Sequence, residues 1–362
     1  MKLGIVGLPN VGKTTLFNAL TGEKAATSAY AFTSVTPNVG IVQVPDERLD
    51  WLAAVYEPKK YTPATIEFVD IAGLAKGASR GEGLGNGFLA AIRQTDALLE
   101  VVRCFDNDGL FTEPMDAARD AEALELELIL ADIELMERRA ERAKKAAKSG
   151  DKKVKQEAEF LERLIAHLSD GKPARAFDFQ PEELALISDG GLLSIKPVIY
   201  AANLDEDGYA AKDQNPEFKA LMALAEAQGA KVMPVCARLE ADINDLPREE
   251  QKEFLEDLGI AERGLSQLIK CSYELLGYIS FLTAGKDEVR AWTIRKGTKA
   301  PKAAGKIHSD LERGFIRAEI VAFSDLAACG SIASAKEKGL LRSEGKEYVM
   351  QDGDVTNIRF NV

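Results

Sequence analysis

The pattern of apolar and polar positions divides the chain into three kinds of segment. In much of the first two thirds, short apolar runs alternate with amphipathic stretches. Such runs are typical of buried strands in a largely parallel sheet that helices cover. The runs occupy residues 3–6, 39–44, 66–69, 97–102, 198–202 and 232–235. We therefore predict an α/β domain with a mainly parallel sheet.

A second kind of segment interrupts this alternation between residues 117 and 168. It is rich in Ala, Glu, Leu, Lys and Arg, and Leu124, Leu128, Ala131 and Leu135 recur at helical spacing. Gly150 and the residue after it mark a turn. We predict an inserted helical hairpin that projects as an antiparallel coiled coil; two helices lying over the sheet are the alternative. The basic residues around the turn are either a solvated helix face or a contact for a polyanion.

From Tyr278 onward the pattern changes again, to short alternating strands and turns. This favours a separate small β-rich domain at the C-terminus. It contains the one sustained basic region of the chain, from Lys286 to Arg317. We expect a domain at residues 1–115 and 185–277, the inserted helical domain at 116–184 and the small domain at 278–362.

Composition narrows the class of protein. The chain has 362 residues, 46% of them hydrophobic, and a net charge of −12, which argues against a protein that coats nucleic acid. The four cysteines form no C-x-x-C pair, as expected of reduced thiols in a cytoplasmic protein. No apolar run approaches the ~20 residues of a membrane span. We expect a cytoplasmic protein without a membrane partner.

Residues 7–15, GLPNVGKTT, follow the first apolar run and precede a helical pattern. They match the phosphate-binding sequence G-x-x-x-x-G-K-[ST], with Gly7, Gly12, Lys13 and Thr14 in its fixed positions. The glycines let backbone N–H groups face a phosphate, the lysine adds positive charge, and the threonine hydroxyl suits Mg²⁺. The sequence therefore predicts a nucleotide site.

A second motif supports this prediction. The run at residues 66–69 ends in Asp70, and Gly73 follows three residues later. This D-x-x-G arrangement places a carboxylate beside a Mg²⁺ ion and a backbone N–H near a γ-phosphate. A hydroxyl that completes the Mg²⁺ shell is expected among Thr33, Ser34 and Thr36; composition alone does not choose among them.

The motifs together resemble the translation-factor-related P-loop GTPases, and within them the Obg-like YchF ATPase family. The resemblance extends over nearly the whole chain. It rests on GLPNVGKTT, TPNVG at 36–40, PDERLDWL at 45–52, the glycine-rich run at 70–89, VVRCF at 101–105, FLEDLGI at 254–260, the stretch at 281–320 and QDGDV at 351–355. It implies a P-loop G-domain, an inserted coiled coil and a small β-grasp-like α+β TGS domain, and an association with ribosomes or RNA through the last two.

The resemblance also implies how the base is read. Guanine-specific relatives use N-K-x-D, whereas residues 203–206 read Asn-Leu-Asp-Glu, the N-x-x-E form for which the family favours ATP over GTP. A displaced and longer carboxylate loses its paired contact with guanine. The alternative is that Asp205 contacts guanine through a shifted loop.

Two departures from typical GTPases bear on catalysis. Leu74 stands where many carry a glutamine that orients the attacking water, and no histidine follows the VVRCF segment. An apolar side chain cannot orient water, so we expect slow intrinsic hydrolysis and assign no general base. By family register the Mg²⁺-binding hydroxyl falls on Ser34.

The expected function is a Mg²⁺-dependent ATPase that acts as a nucleotide switch. A GTP-dependent switch acting on a protein partner is the alternative, and a small-molecule kinase is disfavoured because no acceptor site is evident. The predicted catalytic residues are Lys13 and Gly73, and the predicted metal ligands are Thr14, Ser34 and Asp70. The predicted nucleotide-binding residues are Asn10, Val11, Gly12, Lys13, Thr14, Thr15, Asn203, Leu204, Glu206, Cys236 and Ala237.

Overall fold

The computed structural model describes residues 2–22, 38–71, 85–106, 114–147, 151–187 and 191–361. Within them the strands are β1 (Lys2–Val6), β2 (Asn38–Gln43), β3 (Lys60–Thr62), β4 (Thr65–Asp70), β5 (Ala97–Arg103), β6 (Val198–Asn203), β7 (Lys231–Val235), β8 (Tyr278–Ala284), β9 (Glu288–Arg295), β10 (Phe315–Ala322), β11 (Arg342–Glu344) and β12 (Asp354–Phe360).

The α-helices of the same residues are α1 (Lys13–Thr21), α2 (Glu47–Tyr56), α3 (Gly85–Arg93), α4 (Ala117–Ala147), α5 (Lys152–Ser169), α6 (Pro181–Ile187), α7 (Glu206–Ala210), α8 (Pro216–Gln228), α9 (Ala237–Asp245), α10 (Arg248–Asp257), α11 (Gly264–Leu275), α12 (Ala300–Ile307), α13 (Ser309–Arg313), α14 (Phe323–Cys329) and α15 (Ile332–Glu337). No helix among them is both long and apolar enough to span a bilayer.

The chain forms two compact units. The first contains residues 1–42 and 67–268, and the second contains residues 43–66 and 269–362. The first unit holds a six-stranded sheet in the order β2-β4-β1-β5-β6-β7. Its ladders β1–β4, β1–β5, β5–β6 and β6–β7 are all parallel. The predicted α/β fold with a mainly parallel sheet is confirmed.

The helical insertion is present where the spacing predicts it, as α4 and α5. The first half of α4 packs on the sheet, because Leu124 and Leu128 belong to the same apolar core as Leu98 and Tyr200. The second half of α4 packs against α5 instead, with Phe160 and neighbouring residues in a separate core. The first half of α4 therefore covers the sheet, as the alternative expects of both helices, and its second half forms the hairpin with α5.

Asp132 fixes the middle of α4 to the chain that returns from the hairpin. Its side chain is fully buried and accepts hydrogen bonds from the backbone N–H groups of Leu193 and Ser194, both at 2.8 Å. The Ser194 hydroxyl also donates to it at 2.6 Å and accepts from the Ala174 N–H. A carboxylate with three donors is well satisfied without a basic partner.

A second polar cluster lies between the sheet and α4. Glu100 on β5 is buried at a position where its neighbours are apolar, and Glu125 on α4 forms a two-pronged ion pair with Arg175. Tyr200 donates to Gln228 at 2.6 Å, and Arg175 contacts the same amide oxygen. Burial, and then the charge of Glu125, raise the pKa of Glu100 well above its ordinary value.

This burial predicts a pH-dependent stability. A carboxyl whose pKa is raised in the folded state holds its proton more tightly there than in the unfolded chain, so its ionisation destabilises the fold as pH rises above about 4.5. We expect Glu100→Gln to raise the free energy of unfolding by about 1–2 kcal/mol at pH 8 and to have little effect near pH 4.5. Urea unfolding at both pH values measures this, with Glu122→Gln on the exposed face of α4 as the control. A loss of stability at pH 8 would contradict it.

The second unit is built on a mixed sheet in the order β11-β10-β12-β8-β9-β3. The β8–β9 and β10–β12 ladders are antiparallel, while β12 lies parallel to β8. Helices α12 and α13 pack on one face around Phe281 and Ile294. The predicted α+β C-terminal domain is confirmed. This unit also includes residues 43–66, so the three-domain division stays a prediction.

Many basic residues that the sequence singles out are ion-paired. In the hairpin, Arg139 pairs with Glu157 and Lys144 with Glu162. In the second unit, the pairs include Lys299–Glu347, Lys302–Glu312, Arg313–Asp310 and Arg317–Glu319. Exposed pairs add little stability, but they neutralise charge. Both basic regions therefore offer a polyanion fewer unpaired charges than the sequence predicts.

Candidate nucleotide-binding site

The loop between β1 and α1 has a backbone that requires glycine. Gly12 has φ of 91°, and Asn10 also lies in the left-handed region at 63°. A Cβ at Gly12 would overlap the side-chain nitrogen of Asn203, and one at Gly7 would lie 2.6 Å from the Val101 carbonyl oxygen. The two fixed glycines therefore let the loop pass close to neighbouring strands, as a phosphate-binding loop must.

The first turn of α1 is suited to an anion. The helix begins at Lys13, its N-cap is Gly12 without a side-chain cap, and its first turn contains no acidic residue. By contrast, α2 is capped by Asp46 and has Glu47 in its first turn. The leading N–H groups of a helix have no acceptor within that helix and carry a partial positive charge. Thr14 and Thr15 lie in this turn and are half-buried.

Lys13 and Asp70 meet at the same edge of the sheet. The Lys13 ammonium donates to the Asp70 carboxylate at 2.6 Å, and both side chains are buried. Asp70 is the last residue of β4, and its Cα is paired with Ile5 next to the loop. The structure therefore brings together the predicted lysine of the first motif and the predicted carboxylate of the second.

Asn203 connects the loop to the predicted base-binding segments. Its side-chain nitrogen donates to the Val11 carbonyl at 2.9 Å, and its side-chain oxygen accepts from the Ala237 N–H at 3.0 Å. The adjacent Leu204 is buried, and its N–H donates to the Val235 carbonyl. One side chain thus joins three segments that are remote in sequence, which the motif alone did not indicate.

The two carboxylates that follow Asn203 have different positions: Asp205 caps a helix, and Glu206 begins it. Asp205 caps α7, because its carboxylate accepts from the Gly208 N–H at 2.7 Å. Glu206 is the first residue of α7 and is exposed. Cys236 precedes α9 and is buried, and burial raises the pKa of its thiol. Both carboxylates are exposed, but Asp205 is engaged as the cap of α7.

Two predicted site residues, Gly73 and Ser34, lie outside the described residues, as do Leu74 and the alternative hydroxyl candidates Thr33 and Thr36. For Mg²⁺, the described candidates are the Thr14 hydroxyl and the Asp70 carboxylate, both of them hard oxygen donors that this ion prefers. The described ranges contain no group of three or more His, Cys, Asp or Glu side chains that could hold a metal. This donor set fits an ion whose remaining ligands are nucleotide phosphates and water.

Sequence reasoning missed Arg48, which lies in the PDERLDWL motif. Its guanidinium contacts Asp46 at 2.8 Å and Asp352 at 2.7 Å. Asp352 belongs to the QDGDV motif, so two motifs without an assigned role contact each other. Arg48 is one of four charged residues in PDERLDWL, so nothing in the sequence distinguished it from its neighbours.

Comparisons with known proteins agree with this geometry. A family model described as a 50S ribosome-binding GTPase matches residues 2–133. A YchF GTPase C-terminal model, described as a protein of unknown function, matches residues 278–361. The two models together match the loop, the Asp70 strand and most of the C-terminal part of the second unit.

Relatives match over the full length. A Bacillus subtilis protein named ribosome-binding ATPase YchF is 52% identical over 99% of both chains. A protein of the same name from Escherichia coli O157:H7 is 48% identical over 100% of this chain and 99% of its own. The solved structure of the Schizosaccharomyces pombe YchF GTPase has a TM-score of 0.86 at 36% identity, covering 99% of this chain and 97% of that one. The chain therefore belongs to the YchF family.

Proposed function

We propose that this protein is a Mg²⁺-dependent ATPase that acts as a nucleotide switch and associates with ribosomes. The names of the B. subtilis and E. coli relatives support both the reaction and the partner. The observation that carries the nucleotide part is the geometry of the loop. Its glycine backbone, the uncapped start of α1 and the Lys13–Asp70 pair converge at one edge of the sheet.

In this proposal each residue has a defined task. The N–H groups at the start of α1 bind the β-phosphate, and Lys13 exchanges its bond to Asp70 for the β- and γ-phosphates. Thr14 and Asp70 would hold Mg²⁺, whose charge would offset that of the phosphates. The predicted roles of Gly73 at the γ-phosphate and of Ser34 at the metal remain part of the proposal. With Leu74 in place of a water-orienting glutamine, intrinsic hydrolysis is slow.

The preference for ATP rests on the two carboxylates that follow Asn203. Asp205 is engaged as the cap of α7 and is therefore a poor candidate for binding both N–H donors of guanine. The hydrogen bonds of Asn203 to Val11 and Ala237 support an adenine-binding segment beside the loop. A site that lacks the paired contact loses its discrimination in favour of guanine.

The proposed contacts with the ribosome, or with RNA, lie on the inserted hairpin and the C-terminal TGS-type domain. Since many of their basic residues are ion-paired, the association should depend on few unpaired charges and show a shallow salt dependence. The alternative is a GTP-dependent switch for a protein partner. The S. pombe relative is named a GTPase, which supports the GTP part of this alternative.

A nucleotide titration tests the proposal. With fluorescent ATP and GTP analogues in Mg²⁺, we expect ATP to bind at least about tenfold more tightly, a difference of ~1.4 kcal/mol. Asn203→Ala should weaken ATP binding because it releases Val11 and Ala237. Glu206→Asp tests the exposed carboxylate, with Asp213→Asn as a control outside the site. Tighter binding of GTP would overturn the ATP assignment and favour the alternative.

A further inference from the structure

The segment between β2 and β4 belongs to the second unit, although the strands on either side of it form part of the first sheet. Residues 43–66 contain α2 and β3. Strand β3 extends the second sheet by lying parallel to β9, with Lys60 beside Glu288 and Thr62 beside Arg290. The Thr62 hydroxyl donates to Glu288 at 2.7 Å. The second unit thus includes a strand that the chain supplies more than 200 residues earlier.

Helix α2 is part of the core of this unit. Leu49 and Leu52 are fully buried, and the Trp51 ring meets Phe323 edge-on with 5.5 Å between centroids. The backbone adds a further connection, because the Lys59 N–H donates to the Lys286 carbonyl at 3.0 Å. Burial of two leucines and an aromatic pair holds residues 43–66 firmly to this unit.

Arg48 makes the most specific contact of the segment. It bonds to Asp46 through two nitrogens, at 2.8 and 2.9 Å, and to Asp352 at 2.7 Å. Asp352 also accepts from the Ser280 N–H. At Gly353, φ is 82° and a Cβ would lie 2.8 Å from the guanidinium, so this position must be glycine. The two motifs without an assigned role are therefore complementary parts of one ion-pair cluster.

The other end of the segment leads to the nucleotide site. Strand β4 passes from the second unit, at Thr65 and Ile66, to Asp70 in the first. Asp70 is the residue that bonds to Lys13. Only one short strand, β4, separates Asp70 from Ala64, whose carbonyl accepts from the Val44 N–H.

We propose that residues 43–66 couple nucleotide binding to the second unit, with Arg48 as the positioning residue of that coupling. The proposal rests on the function proposed above, since the initiating event is the loss of the Lys13–Asp70 bond when Lys13 turns to phosphate. Movement of β4 then changes the ordering of α2 and β3, and the Arg48–Asp352 pair carries the change to β8 and the turn before β12. Affinity for a partner of the second unit follows the nucleotide state.

Hydrogen–deuterium exchange of the full chain tests this coupling. Exchange is compared without nucleotide and with a non-hydrolysable ATP analogue and Mg²⁺. We expect the analogue to change exchange rates about fivefold in peptides covering residues 44–64 and 278–295, at the lower end of common coupling between sites. Asp352→Asn should abolish the change at 278–295 and keep the one at 44–64. Arg48→Lys, which keeps the charge but loses the forked geometry, should do the same.

The control is Glu347→Gln, which removes an exposed ion pair with Lys299 in the same unit and should leave the response unchanged. Protection of residues 7–16 without any change at 44–64 would overturn the coupling alone. An equal response in the Asp352→Asn and Glu347→Gln variants would overturn the role of Arg48. No protection at residues 7–16 would overturn the proposed function, and this inference with it.

Discussion

Replacement of Lys13 by methionine is expected to lower the turnover number for ATP by about 10²–10³-fold. The ammonium group is the cation that the structure places at the start of α1, and methionine fills a similar volume without charge. The loss falls mainly on the rate, because the charge that Lys13 neutralises develops on the transferring phosphoryl group. Steady-state hydrolysis at saturating ATP measures it, and binding of a fluorescent analogue separates affinity from rate.

This substitution leaves the Asp70 carboxylate buried without its partner, which could itself destabilise the protein. Urea unfolding of Lys13→Met and of the double variant Lys13→Met, Asp70→Asn, which removes that charge, measures this destabilisation; the activity of the double variant is not compared, because Asp70 is itself a proposed Mg²⁺ ligand. Lys252→Met, on the exposed surface of α10, is the matched control. An unchanged turnover number in the Lys13→Met protein would show that hydrolysis does not occur at this loop.

Asp132→Asn is expected to destabilise the first unit by about 2–4 kcal/mol. An amide has one acceptor oxygen, so its NH₂ group would face at least one of the backbone donors at Leu193 and Ser194. Two buried donors would then compete for one oxygen, or one would be left without an acceptor. Urea unfolding at pH 7 measures the change.

Two further variants identify the cause. Asp170→Asn, at the exposed end of α5, should change stability little, because its contact with Lys172 is solvated. Ser194→Ala removes only the hydroxyl donor and should cost less than Asp132→Asn. If Asp132→Asn were as stable as the unaltered protein, the three hydrogen bonds would contribute little to holding α4.

The main elements of the fold could be predicted because their burial leaves a local pattern. The run at 198–202 is apolar at each position, since β6 is buried on both faces. Helix α4 was evident from its leucine spacing. By contrast, residues 60–62 are largely exposed and carry no strand pattern. They form β3 because β9 offers a partner edge, and such long-range pairing has no signal in the segment itself.

At the candidate site, too, the features contained in a short segment could be predicted, whereas the contacts between distant segments could not. The loop could be identified because its chemistry is contained in nine consecutive residues. The two hydrogen bonds of Asn203 could not, since their partners lie on segments about 190 and 34 residues away. Asp132 resembles any surface acid of a charged helix until the chain around Leu193 folds onto it. Glu100 is a lone acid within the apolar run of β5, but that run does not indicate that Glu125 and Arg175 lie near it.

The contribution of residues 43–66 to the second unit has a consequence for biosynthesis. Helix α2 and β3 leave the ribosome early, whereas β9, the strand that pairs with β3, is translated more than 200 residues later. Until then Leu49, Leu52 and the β3 edge have no partner within their own unit, a state that favours aggregation or chaperone binding. Completion of the second unit is therefore a late event in synthesis, and a fragment starting at residue 278 lacks both an edge strand and part of its core.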